Sequence, residues 1–131
     1  MIARYPAGME PDKEGTIMFT DFMLEGDWLA AMDSTHEHAF QFNETISLMV
    51  ICDSQKEIDN YWEKLKEGGD PKAQQCGWLK DRFGVSWQVA PRLLGEMISK
   101  GTTEQVDRVT QTFLPMKKLD ISELQKAYVG K

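Results

Sequence analysis

Alternating apolar and polar residues in the first third of the chain predict short β-strands joined by a tight turn. Residues 15–24 (GTIMFTDFML) are rich in β-branched and aromatic side chains, which favour strands. Residues 25–27 contain the glycine of a turn, and residues 28–32 (WLAAM) predict the return strand of a hairpin. The two prolines, the glycine and the charges of residues 1–14 predict mainly loop, with Ile2–Tyr5 as the end of a strand.

A second hairpin is predicted in residues 76–91, CGWLKDRFGVSWQVAP. Asp81 suits the first position of a type I turn, and Gly84 can adopt the positive φ that closes it. Apolar and polar residues alternate after the turn over residues 85–90. Pro91 should end the ladder because it has no N–H group to donate.

Between the hairpins, an apolar run and a helical repeat follow each other. Residues 45–52 (TISLMVIC) have the length of a strand and predict one that is covered on both faces. Ser54 and Glu57 have the spacing of a capping box, and apolar residues then recur at helical spacing. The pair Gly68-Gly69 is expected to end this helix.

After Pro91 the pattern becomes helical. Residues 93–98 predict a short helix that Gly101 ends, and Thr102 opens a second helix with a glutamine at the capping-box position. Pro115 should end the second helix, and Asp120 begins a last one. These three helices are predicted to be an appendix on the sheet rather than a separate domain.

Composition narrows the classes of partner. The 131 residues include 41% hydrophobic and 27% charged residues, which predicts one folded domain. The net charge of −6 argues against nucleic acid and against an anionic membrane surface, since both require clustered basic side chains. No apolar run approaches the length of a membrane span, and the N-terminus lacks the apolar stretch of a signal peptide. We therefore expect a cytoplasmic protein.

The two cysteines, Cys52 and Cys76, are expected to be reduced thiols in that compartment. Lys80 and Arg82 lie close to Cys76 in sequence and would favour its thiolate. No histidine is placed to activate this thiol, however, so an inert, buried thiol is the favoured interpretation.

His36 and His38 are the only histidines and lie in an irregular polar segment. If that segment is extended, both rings point to one side and could bind zinc together with Glu37 or Asp33. The alternative is a solvated loop with two titrating imidazoles. The lack of a recognised spacing for further ligands favours the solvated loop.

Trp78 and Trp87 are predicted to face each other across the second hairpin. They could stack on a flat ligand, but such pairs more often belong to the core. Trp87 should point toward the helix that begins after Ser54, because Gln88 would then point to the opposite face of the sheet.

Residues 42–91 carry a resemblance to a known family. The segments FNETISLMVICDSQKEIDNYWEKL, GG and QCGWLKDRFGVSWQVAP resemble the PhnB-like branch of the vicinal oxygen chelate (glyoxalase/bleomycin-resistance/dioxygenase) superfamily. Its members are often labelled 3-demethylubiquinone-9 3-methyltransferase-like, and the segment FLPMKKLDI resembles this branch as well. Family members usually begin with a further strand and helix. The resemblance thus implies a single glyoxalase-like domain over residues 1–131, with an incomplete first module (1–44), a second module (45–91) and a helical tail (92–131).

The implied fold is α+β. Paired βαβββ-type modules form a strongly curved, antiparallel-rich sheet, the glyoxalase-like cup, with a covering helix and the helical C-terminal tail. The superfamily's metal enzymes place His or Glu ligands at cup positions that correspond here to Ala30, Ser47 and Gln88. Alanine cannot bind a metal, and serine and glutamine are weak ligands, so we expect no metal and no cofactor. The methyltransferase label has no support from a glycine-rich loop between a strand and a helix.

The expected function is a metal-free cup that binds a small apolar or aromatic molecule. The residues expected to line it are Trp28, Ala30, Met32, Ser47, Met49 and Gln88. A metal-dependent lyase, isomerase or dioxygenase of the vicinal oxygen chelate type is the alternative, with ligands completed by a partner chain or by the absent N-terminal segment. A third hypothesis is a truncated gene product with no activity of its own. Because half a cup exposes sheet edges and apolar surface, we expect a homodimer.

Overall fold

The computed structural model describes all residues from 1 to 131, and they form two compact units, Met1–Phe40 and Gln41–Lys131. The predicted boundary between the two modules, after residue 44, lies a few residues further along the chain. No helix combines the length and the apolar character needed to cross a membrane.

The first unit contains an antiparallel three-stranded sheet in the order β1-β2-β3, formed by Ile2–Arg4, Ile17–Leu24 and Asp27–Met32. The predicted hairpin is confirmed, with Leu24 paired to Asp27 across a two-residue loop. Glu25 and Gly26 both have positive φ, 50° and 92°, as the tightest hairpin turns require.

The second unit contains a mixed sheet in the order β4-β6-β5, formed by Ser47–Cys52, Ser86–Pro91 and Trp78–Lys80. The β4 and β6 strands are parallel, whereas β5 and β6 are antiparallel. A parallel pair requires a crossover connection, which helix α1 (Gln55–Lys66) and the short 3-10 turn Pro71–Ala73 provide. The predicted β-α-β-β unit is therefore present.

Helix α1 covers one face of this sheet. The buried cluster combines residues of the helix and of all three strands: Cys52, Ile58, Trp62, Leu79 and Val89. Ser54 caps the helix as predicted, because its side chain accepts a hydrogen bond from the Glu57 N–H. The Glu57 carboxylate, however, accepts from the Asp53 N–H at 2.6 Å, so the reciprocal half of the expected box is shifted by one residue.

The prediction that residues 45–52 are covered on both faces is wrong. Val50 and Cys52 face the α1 cluster, whereas Met49 and Ile51 point to the other face and are 54% and 50% exposed. Alternation along the strand is hidden in the sequence because both sets of side chains are apolar.

The β5–β6 hairpin closes through the predicted turn but with a longer loop. The Gly84 N–H donates to the Asp81 carbonyl at 3.0 Å, and the Asp81 N–H donates to the Val85 carbonyl at 3.0 Å. Lys80 therefore pairs with Ser86. This register is one residue away from the one assumed in the sequence interpretation.

The shifted register separates the two tryptophans. Trp78 pairs with Gln88 and Trp87 pairs with Leu79, so the prediction that the indoles face each other is wrong. A slip of one residue moves a side chain to the other face of a sheet. Trp87 packs against the α1 cluster as predicted, with its N–H donating to Asp81 Oδ2 at 2.9 Å, whereas Trp78 lies on the face opposite α1.

The tail forms three helices, α2 (Arg92–Lys100), α3 (Thr103–Phe113) and α4 (Ile121–Val129), as predicted. The capping box of Thr102 and Gln105 is complete. The three helices share a second buried cluster, formed by Met97, Val109 and Leu124. The α+β class and the helical tail expected from the sequence are confirmed.

Candidate functional site

A cleft of about 530 Å³ lies in the second unit, on the face of its sheet that α1 leaves uncovered. All three strands contribute to its floor, and α2 together with Phe113 and Leu119 forms its wall. Most of the lining is apolar. Because Met49, Ile51 and Ile98 are about half exposed, it is an open cleft rather than a closed cavity.

Gln88 lies at the centre of the floor. It pairs with Met49 of β4 on one side and with Trp78 of β5 on the other, so the three side chains share one face of the sheet. Ile51 and Ala90 continue that face along the same two strands. Met49 and Gln88, both expected to line the site, are thus neighbours, and Trp78 lies next to Gln88 on the same face.

Ser47 orients the amide of Gln88. The Gln88 Nε2 donates to the Ser47 Oγ at 2.9 Å in a part-buried bond. The register places Ser47 opposite Ser86, diagonally next to Gln88, which explains how the two side chains meet. Of the predicted site residues, the structure thus brings Ser47, Met49 and Gln88 together.

Helix α2 supplies most of the wall, through Leu94, Gly95 and Ile98 among others. A Cβ built on Gly95 would meet no atom within 4 Å, so this glycine leaves open space at the wall. The helix was predicted from its periodicity, but its contribution to a site was not, since nothing local in the sequence shows which face of the sheet the tail covers.

The cleft is lined by few charged side chains. Arg92 and Glu96 are the only charged residues that line it. The Arg92 Nε donates to Asp53 Oδ1 at 2.7 Å, and this hydrogen bond raises the pKa of the Arg92 guanidinium. Glu96 has no ion-pair partner, so the cleft offers no free positive charge.

The two thiols are free and lie on opposite sides of the sheet. Cys52 is fully buried in the α1 cluster, and burial, assisted by the carboxylates of Glu57 and Asp53, raises the pKa of its thiol to about 11. Cys76 is only half-buried and lines the cleft, with a positive φ of 41°. The expectation of a buried, inert thiol therefore describes Cys52 but does not describe the position of Cys76.

The other predicted site residues, Trp28, Ala30 and Met32, belong to the first unit. They alternate along β3 and therefore share one face of its sheet, with Trp28 67% and Met32 77% exposed. The six predicted residues thus form two groups of three, one in each unit.

The two histidines have different partners. His36 Nε2 lies 3.3 Å from Asp12 Oδ2, and the His38 ring stacks on Phe40 with centroids 4.9 Å apart. Asp12 Oδ1 also accepts from the Thr35 N–H at 2.7 Å and from its hydroxyl at 2.9 Å. The backbone hydrogen bond from Thr35 lowers the pKa of Asp12. Asp12 is far from both histidines in the sequence, and its contact with His36 is not predicted by the sequence analysis.

No group of three or more His, Cys, Asp or Glu side chains is placed to hold a metal ion. Of the three residues at the positions expected for metal ligands, Ser47 and Gln88 are hydrogen-bonded to each other, and the third is Ala30. The residues at these three positions do not fit a first-row divalent ion, which needs imidazole, thiolate or carboxylate ligands.

Comparison with known proteins identifies the family. The family model described as 3-demethylubiquinone-9 3-methyltransferase matches residues 1–90. The chain belongs to this family. The match includes every strand residue that lines the cleft up to Ala90, whereas helices α2 to α4 lie beyond it.

A solved structure supports the same assignment. The chain is 36% identical to a putative 3-demethylubiquinone-9 3-methyltransferase, PhnB protein, from Bacillus cereus, with a TM-score of 0.59 over 70% of this chain and 76% of that one. It also matches the protein PA1353 from Pseudomonas aeruginosa at 26% identity and a TM-score of 0.48, covering 68% of this chain and 75% of that one. No curated protein matches the chain. The first of these similarities confirms the glyoxalase-like α+β fold.

Proposed function

We propose that this chain is a metal-free small-molecule-binding protein of the vicinal oxygen chelate superfamily, and that an apolar or aromatic ligand occupies the cleft centred on Gln88. The observation that carries the proposal is the cleft of about 530 Å³ with its apolar floor and wall. This volume lies within the range of about 300–1,000 Å³ that is typical of ligand sites. A mostly apolar lining with a few fixed polar groups is also typical of such sites.

The polar chemistry of the cleft favours binding over catalysis. Its lining contains neither a histidine nor a nucleophile paired with a base, which most covalent and acid–base mechanisms need. Gln88 presents an amide where the superfamily's metal enzymes are expected to have a carboxylate. A metal-dependent reaction would need ligands supplied from elsewhere, and stoichiometric divalent metal in protein purified without chelator would support that alternative.

We also propose that the protein is a cytoplasmic homodimer. The exposed apolar face of β3, which includes Trp28 and Met32, supports a second copy as the partner, because large apolar surfaces of this kind commonly mark interfaces. The residues proposed for the cup in the first unit lie on this face.

An NMR titration with 2-naphthol tests ligand binding. We expect chemical-shift changes for the Gly95 amide and the Trp78 indole, because both residues line the cleft. The Trp87 indole is the internal control, since it is bonded to Asp81 on the α1 side of the sheet. Changes confined to residues outside the cleft, or no saturable change, would contradict the proposal.

A further inference from the structure

We infer that Gln88, held by Ser47, makes the cleft selective for aromatic compounds that donate a hydrogen bond and carry no negative charge, such as phenols and aromatic alcohols. The inference rests on the proposed binding function and names the ligand class for the same cleft. It makes Gln88 a specificity-determining residue and Ser47 the residue that positions it.

The first step is the orientation of the amide. An amide side chain can present either a donor or an acceptor to a ligand. In this structure one N–H of the Gln88 Nε2 donates to the Ser47 Oγ at 2.9 Å, which fixes the orientation of the amide. The polar atom of Gln88 that is left without a protein partner is the oxygen, an acceptor.

The second step is the accessibility of that oxygen. The Gln88 side chain makes one hydrogen bond within the protein, from its Nε2 to Ser47. Its Oε1 therefore accepts no hydrogen bond from the protein. No buried side-chain nitrogen or oxygen lacks a partner anywhere in the chain. The Gln88 Oε1 must therefore be accessible, and Gln88 lines the cleft. An accessible acceptor without a protein donor is complementary to a ligand O–H or N–H group.

The third step is the rest of the ligand. Trp78 and Phe113 contribute aromatic surface to the cleft, which favours a flat apolar body. Arg92 and Glu96 carry opposite charges, and Arg92 is already paired with Asp53. A carboxylate group would therefore find no free counter-charge, and Glu96, which has no ion-pair partner, would repel it. The ligand accordingly carries no negative charge.

Calorimetry with two matched probes tests the inference. The probes are 2-naphthol, which has a donor, and 2-methoxynaphthalene, which replaces it with a methyl ether. We expect wild-type protein to bind 2-naphthol about tenfold more tightly, because the ether leaves the Gln88 oxygen unpaired in the complex.

Two variants separate the roles of the pair. Gln88→Met keeps the length of the side chain but removes the acceptor, so the affinity ratio should fall to about one. Ser47→Ala frees the amide to rotate and offer its NH2 group to the ether, so the ratio should fall mainly because 2-methoxynaphthalene binds more tightly. Circular dichroism checks that each variant is folded, and either variant alone suffices for the test.

The outcomes distinguish the two proposals. If both probes bind wild-type protein equally and both are blocked by Gly95→Leu, the selectivity inference is overturned while the binding function stands. If the wild-type preference persists undiminished in either folded variant, the inference is also overturned. If neither probe binds, or if binding survives Gly95→Leu, the proposed function fails and the inference fails with it.

Discussion

Asp81 shows how one side chain can determine the placement of others far along a hairpin. Its Oδ1 accepts from the N–H groups of Phe83 at 2.8 Å and Val85 at 3.0 Å, while its Oδ2 accepts from the Trp87 indole. These bonds stabilise the loop that puts Trp87 on the α1 side and Trp78 in the cleft. The composition of the site therefore depends on a turn residue that does not line it.

The two cysteines should differ in reactivity. We expect iodoacetamide at pH 8 to alkylate Cys76 in the native protein and to leave Cys52 unmodified, because Cys52 is fully buried and its pKa is raised to about 11. Peptide mass spectrometry measures both sites in one sample. Cys76→Ser provides the control and should take up no label until the protein is unfolded. Equal labelling rates of the two thiols would show that the described burial of Cys52 is wrong.

Asp12 should make the stability of the protein depend on pH in the acid range. Its folded pKa lies below the ordinary value of 3.8, chiefly because of the hydrogen bond from the Thr35 N–H, so the ionised carboxylate favours folding. This contribution is fully present above the unfolded pKa and is lost as the pH falls through the lower folded pKa.

The measurement is the midpoint of thermal unfolding of wild-type and Asp12→Asn protein between pH 2 and 6, a range that includes the ordinary pKa of an aspartate and extends below it. Wild type should be the more stable near pH 6, and the difference should shrink below about pH 4. A difference that is constant with pH would mean that the ionised form of Asp12 is not favoured by folding.

At the scale of elements, Gln55 joins the C-terminal tail to helix α1. Its Nε2 donates to the Leu119 carbonyl at 3.1 Å, and its Oε1 accepts from the Ile121 N–H at 2.9 Å. The tail is thus hydrogen-bonded to the same helix that covers the sheet. Since Leu119 also lines the cleft, these bonds hold part of its wall in place.

Gln55→Ala should lower the free energy of unfolding by about 1–3 kcal/mol, because two backbone groups lose their partners. Gln55→Glu is the matched variant: it keeps the acceptor for Ile121 but turns a carboxylate oxygen toward the Leu119 carbonyl and the Asp59 carboxylate, to which Gln55 Nε2 donates, so its stability should also fall. Urea denaturation measures both values, and hydrogen exchange at the Ile121 amide should accelerate in the alanine variant alone. Unchanged stability in Gln55→Ala would contradict this description of the tail.

Local signals were sufficient to predict the elements themselves. The helix caps Ser54 and Thr102 and the turn residue Gly26 act locally. Their roles can therefore be predicted from a few neighbouring residues. Ser47, Met49 and Gln88 were also predicted as neighbours, because their positions on facing strands follow from alternation and from the family resemblance.

Non-local contacts account for what was missed. Trp78 was assigned to the wrong face because a register depends on the loop length in three dimensions, here set by the bond between Asp81 and Val85. The contact of His36 with Asp12 joins segments with no shared periodicity. Such contacts do not affect the spacing of apolar residues, which is the main structural signal in a single sequence.

At the scale of the whole molecule, the proposed dimer makes a direct prediction. Sedimentation velocity at micromolar concentration should give twice the mass of the chain. Trp28→Lys together with Met32→Lys should shift the protein toward monomer, because both side chains are exposed on the apolar face proposed as the interface. The control is Gln111→Lys together with Gln125→Lys, which adds two lysines at exposed helix positions. A monomeric wild-type protein would refute the dimer.

The central claim is that the cleft of the second unit binds a small apolar or aromatic molecule. Gly95 offers the sharpest test, because a Cβ added there would meet no existing atom within 4 Å and the substitution would remove a helix-destabilising glycine. Gly95→Leu should therefore fold and fill the cleft, while Gly95→Ala gains the same helix propensity and leaves most of the volume open.

Calorimetric titration of the three proteins with 2-naphthol is the most direct measurement. The account predicts binding to wild type and to Gly95→Ala, and at least a tenfold loss of affinity in Gly95→Leu, which corresponds to about 1.4 kcal/mol. Equal affinity of all three proteins, or no binding to wild type, would contradict it.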